Sequence, residues 1–121
     1  MSKEKLLYYL LLVDQCNFVS LSTSAQNSLV LEIVGDININ YRSKSALTEF
    51  LARILFSTQF DNLQEIERVT LNKELSDNIN PKQTNKTLTF EIEKSTKQII
   101  IKNVYSDKNV KYLFNPITLL N

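Results

Sequence analysis

Three groups of side chains in this 121-residue chain have the chemistry to act on another molecule. They are the single cysteine, Cys16; the closely spaced carboxylates Glu65/Glu67 and Glu91/Glu93; and the lysines Lys94, Lys97, Lys102, Lys108 and Lys111 of the C-terminal third. A thiol attacks or binds metal as its thiolate, which requires a base or cation beside it, and Asp14 is the nearest charged residue to Cys16 in sequence. Carboxylates two residues apart diverge on a helix and share the wet face of a half-buried strand, so both pairs read as solvated charges. With no histidine in the chain, the usual proton shuttle near neutral pH, His-based triads and His-containing metal clusters are excluded. The expectation is a non-enzymatic protein with no catalytic residue, no metal site and no cofactor.

The lysines carry the sharper signal. Between residues 81 and 112 there are seven lysines against three acids, and Phe90, Tyr105, Tyr112 and Phe114 are interleaved with them. Lysines neutralise phosphates and exposed aromatics stack on bases, so a nucleic-acid-binding sheet is one reading. Arginine, the usual partner for bidentate recognition of phosphate or base, is missing from that stretch. The competing reading makes the lysines solubilisers of strand edges and the aromatics part of the packing.

The last residues, "NVKYLFNPITLLN", have an apolar density unusual for a terminus. Tyr112, Phe114, Ile117, Leu119 and Leu120 therefore stand as candidate protein-binding residues, for docking by strand addition or into a groove of another chain or a second copy. The function expected is a small protein-binding or assembly subunit, with nucleic-acid binding through Lys94, Lys97, Lys102, Lys108 and Lys111 as the alternative.

One glycine, Gly35, sits in "SLVLEIVGDININY". Phosphate loops need several glycines leading into a helix so that main-chain N–H groups can approach the anion. A lone glycine within an apparent alternation of apolar residues at 29, 31, 33, 37, 39 and 41 instead marks a bend. That alternation predicts a strand pair over about 28–41, either bulged at Gly35 or turned by a three-residue loop.

Other elements must position these groups. Leu47, Phe50, Leu51, Ile54 and Leu55 predict an amphipathic helix over about 45–60, capped by Ser43 or Ser45. Asp61 and Gln64 in capping-box positions predict a second short helix over about 62–75, with Val69 to Leu71 able to run extended. Residues 76–86 read as a loop. Alternation at Leu88, Phe90 and Ile92 opens a three-stranded meander over about 87–114. Leu6, Leu7, Leu10 and Leu11 behind Ser2 favour a helix over 3–15, apolar all round, which implies burial on more than one side and suggests a partner.

The whole is an α+β protein with one domain spanning 1–121, as its length allows. A net charge of +1 offers no overall field toward nucleic acid or membrane. The apolar run Leu6 to Val13 is too short to span a bilayer and reads as mature protein, and one cysteine leans toward a cytoplasmic setting. Richness in Asn, Lys and Ile with scarce Gly, Ala, Arg and Pro points to a low-GC genome such as that of a phage, plasmid or organelle.

Overall fold

The computed structural model describes residues 1–57, 62–79, 88–102 and 111–116. Helix α1 runs Lys3–Gln15, with Ser2 Oγ accepting from the Lys5 N–H at 3.1 Å, as the sequence predicts. Leu6, Leu7, Leu10, Leu11 and Val13 are fully buried. The apolar girdle is accounted for within the chain: α1 packs on α3 (Lys44–Leu55) and also touches α4 (Lys73–Ile79) and strands β1 (Ile66–Thr70) and β4 (Lys111–Phe114). The sheet is therefore covered by α1 together with α3, which reaches β4, rather than by the 45–60 helix alone.

The expected strand pair over 28–41 is not formed. Helix α2 runs Thr23–Val34, started by Ser22 Oγ accepting from the Ala25 N–H at 3.2 Å. Leu29, Val30, Ile33 and Val34 pack toward the core at i, i+1, i+4 and i+5, a helical stripe whose odd members also read as alternation. Val30 and Val34, apolar at even positions, are the residues that the strand reading did not accommodate. Gly35 ends α2 in the left-handed region at φ 86°, its N–H donating to the Leu31 carbonyl at 2.9 Å. Its role is a backbone one, as expected, but as a helix stop rather than a strand bend. Residues Ile39–Tyr41 make a single 3-10 turn, with Asn38 Oδ1 accepting from the Asn40 N–H. Tyr9 of α1, its phenol pushed up to about 12 by burial and by the Glu32 carboxylate it donates to at 3.1 Å, links α1 to α2.

Gly35→Ala places a Cβ in open space, so its cost is the strain of a left-handed L-residue alone. The expected loss is about 1–2 kcal/mol, read from a denaturant midpoint.

Helix α3 begins where predicted, with Ser43 Oγ accepting from the Ala46 N–H. Leu47, Leu51, Ala52 and Leu55 are buried, and Phe50 and Ile54 are packed against the core at its margin. It ends at Leu55; residues 58–60 of the predicted span lie outside the described residues.

The predicted helix over 62–75 is also replaced. Ile66–Thr70 is strand β1, and α4 follows only at Lys73, with Asn72 Oδ1 capping the Leu75 N–H at 2.9 Å. Strand pairing with β2 (Thr89–Glu93), a non-local ladder, outweighs the weak helical preference of "IERVT". Helix α4 also claims residues 76–79 of the predicted loop; residues 80–86 lie outside the description.

The meander is present. β2, β3 (Gln98–Lys102) and β4 pair antiparallel in sequence order, with β1 on the far side of β2, giving the order β1-β2-β3-β4. Directly opposed residues share a face. Val69, Phe90 and Ile101 form one row toward the helices, and Glu67, Ile92, Ile99 and Phe114 another. Arg68, Glu91, Ile100 and Tyr112 form a row on the opposite face.

Candidate functional site

The sheet face opposite the helix-side rows, with the β1 edge, carries Arg68, Glu91 and Lys102 together with the exposed Ile66 and Tyr112. Two main-chain bonds set the phase of the β1–β2 ladder: Lys94 N–H to the Glu65 carbonyl at 2.9 Å, and Leu71 N–H to the Leu88 carbonyl at 3.0 Å. In an antiparallel ladder the hydrogen-bonded pairs alternate, so odd residues of β1 bond β2. The N–H and C=O groups of Ile66, Arg68 and Thr70 then point away from the sheet along its free edge. All three residues are exposed, and among the described residues no main-chain partner meets them. The other edge differs: the β3–β4 register shifts between Ile99 and Ile100, and such a bulge disrupts an edge as a template.

On the open face Glu91 is only 7% exposed. Lys102 Nζ meets its Oε2 at 2.9 Å and Arg68 Nε meets the same oxygen at 3.3 Å. The Lys102 hydrogen bond, aided by both positive charges, holds the Glu91 carboxyl below its ordinary range despite burial. Glu67, on the helix side, is lowered in the same way by Lys3 at 2.8 Å and by the Gln64 N–H. Neither is the freely solvated charge expected from sequence. Glu65 accepts from the Ser95 N–H and Glu93 from Thr96 Oγ1, so all four carboxylates do structural jobs.

Because both folded values lie below the ordinary 4.5, the stabilisation is complete above that value and is lost as pH falls through the lowered ones. The denaturant midpoint is expected to be flat from neutrality to about pH 5 and to drop in more acid solution. Glu91→Gln should shrink that drop.

The five candidate lysines do not form one stripe. Lys94 Nζ donates to the Leu63 carbonyl at 3.3 Å. Lys97 lies in the β2–β3 turn with φ 56°, beside Phe56, Phe114 and Pro116. Lys102 is held by Glu91 on the open face, and Lys111 pairs with Asp14 of α1 on the helix side. Lys108 lies outside the described residues. Of the candidate protein-binding residues, Tyr112 is 56% exposed on the open face, whereas Phe114 turns inward with its ring 6.4 Å from that of Phe56. Ile117, Leu119 and Leu120 lie outside the described residues.

Cys16 is half-buried in a shallow cleft with Asp14 and Lys44, whose Nζ donates to the Asp14 carbonyl. Among the described residues no group of three or more Cys, Asp or Glu is placed to hold a metal ion, and no helix is long and apolar enough to cross a membrane. Comparison of the chain with known protein families, with curated proteins and with solved structures returned no match.

Sequence reasoning missed Arg68, Ile66 and the edge they occupy, because it placed them on a helix. The usable signal was the set of β-branched residues Ile66, Val69 and Thr70 within five positions.

Proposed function

We propose that this protein is a small, non-enzymatic protein-binding subunit that receives an extended segment of another chain on the β1 edge. The observation carrying the reading is the row of outward main-chain groups at Ile66, Arg68 and Thr70, on an exposed strand without bulge or proline. A regular unpaired edge is a template for strand addition, in which main chain supplies hydrogen bonds and alternate side chains supply selection. The single half-buried cysteine suits a cytoplasmic setting.

Nucleic-acid binding is the second reading, favoured by exposed Tyr112 on the same sheet face as cationic Lys102 and Arg68. Against it, Glu91 occupies the centre of that cationic group and Asp14 engages Lys111.

Affinity capture from the native source separates the two. Thr70→Pro deletes an outward N–H and no ladder bond, so the protein should keep its unfolding midpoint and lose its co-purifying chain. Changing Lys97, Lys102 and Lys111 together to glutamine should leave that chain bound. Loss of a salt-sensitive nucleic acid in the lysine variant, with Thr70→Pro binding as wild type, would overturn the reading.

A further inference from the structure

The edge has a charge pattern that selects its occupant. Arg68 is the middle of the three outward residues, and its side chain is 69% exposed. It meets Glu91 through Nε alone, at 3.3 Å, while Lys102 holds the same carboxylate oxygen more closely at 2.9 Å. One carboxylate thus serves two cations, and the more exposed cation, whose terminal guanidinium nitrogens meet no partner among the described residues, lies on the β1 edge. Two residues away on the same face Ile66 is 45% exposed. On the helix side of the strand Glu67 is already satisfied by Lys3 and the Gln64 N–H, and Val69 is buried, so selection falls to the open face.

A second copy of this chain fits the edge poorly. Outward groups pair only with outward groups, so antiparallel pairing of two β1 strands has few registers. Centred on residue 68, it sets Arg68 against Arg68 of the second copy. Shifted one way, it sets Arg68 against Ile66 and Glu67 against Glu67; shifted the other way, it sets Arg68 against Thr70 and Ile66 against Asn72. None brings an acid to Arg68, and directly opposed like charges destabilise a sheet.

We infer, building on the strand-addition reading above, that the natural occupant is an extended segment of a different protein. It carries an acidic residue opposite Arg68 and, two positions along, an aliphatic residue opposite Ile66. The acid engages the free guanidinium nitrogens and completes a row of alternating charge, acid, Arg68, Glu91, across the open face. The aliphatic residue covers Ile66.

The probe is an end-capped heptapeptide, Thr-Val-Val-Glu-Lys-Ile-Thr, which in antiparallel register sets its glutamate opposite Arg68 and its isoleucine opposite Ile66. The control carries lysine in place of that glutamate. Titration calorimetry on the intact protein should show the glutamate peptide binding about three- to tenfold more tightly. Arg68→Glu should reverse the preference, and Arg68→Thr, which leaves Glu91 its Lys102 partner, should abolish it; the latter decides the matter if the former fails to fold. Equal binding of both peptides to the wild type, lost in Thr70→Pro, would overturn the acidic requirement and leave strand addition standing. Binding of neither peptide would overturn both. Reversible dimerisation in sedimentation equilibrium, abolished by Thr70→Pro, would assign the edge to a second copy instead and overturn the inference.

Discussion

Phe90→Ala is expected to cost about 3–5 kcal/mol, the largest effect of any single truncation in the sheet. Phe90 is fully buried in the interior strand β2, flanked across the ladders by Val69 and Ile101 and facing the helical layer. Removing the ring loses its transfer free energy and opens a cavity that the neighbouring strands, held by ladders on both sides, can close only in part. Urea unfolding followed by circular dichroism measures it. A midpoint shift worth less than about 1 kcal/mol would place Phe90 outside the shared core and separate the sheet from the helices.

Leu51→Ala is expected to cost about 2–5 kcal/mol for the same reason at the other layer. Leu51 has no exposed surface and lies on the α3 face that packs on α1. The comparison that gives the prediction its force is Phe50→Ala. Phe50 has the larger side chain but is only half-buried, its ring edge-on to Tyr41 with centroids 5.4 Å apart. The smaller residue should therefore cost more. An inverted order, Phe50 above Leu51, would mean that α3 is rotated about its axis from the position described.

The edge variant Thr70→Pro alters binding in an interpretable way only while the core holds. Its unfolding midpoint should stay near that of the wild type, far from those of Phe90→Ala and Leu51→Ala.

Local chemistry determined the elements whose signals are contained in a few neighbouring residues. Ser2 and Ser43 cap α1 and α3 where a hydroxyl precedes an apolar helical stripe, and the alternation from Leu88 to Ile92 makes a strand that runs into the turn before β3. The absence of histidine bounded the chemistry before any fold was known. Two elements were decided elsewhere. Leu29, Leu31 and Ile33 satisfy a period of two, but Leu29 and Ile33 also form, with Val30 and Val34, a helical stripe; packing against α3 and the stop at Gly35 select the helix. "IERVT" carries charges that suit a helix and β-branched residues that suit a strand, and it becomes β1 because β2 supplies a ladder from 19 to 27 residues away. The edge, and with it the exposed Arg68 over a shared carboxylate, exists only once that pairing is made. Main-chain direction along a strand is set by which residues bond the neighbour, and that is a property of the assembled sheet alone.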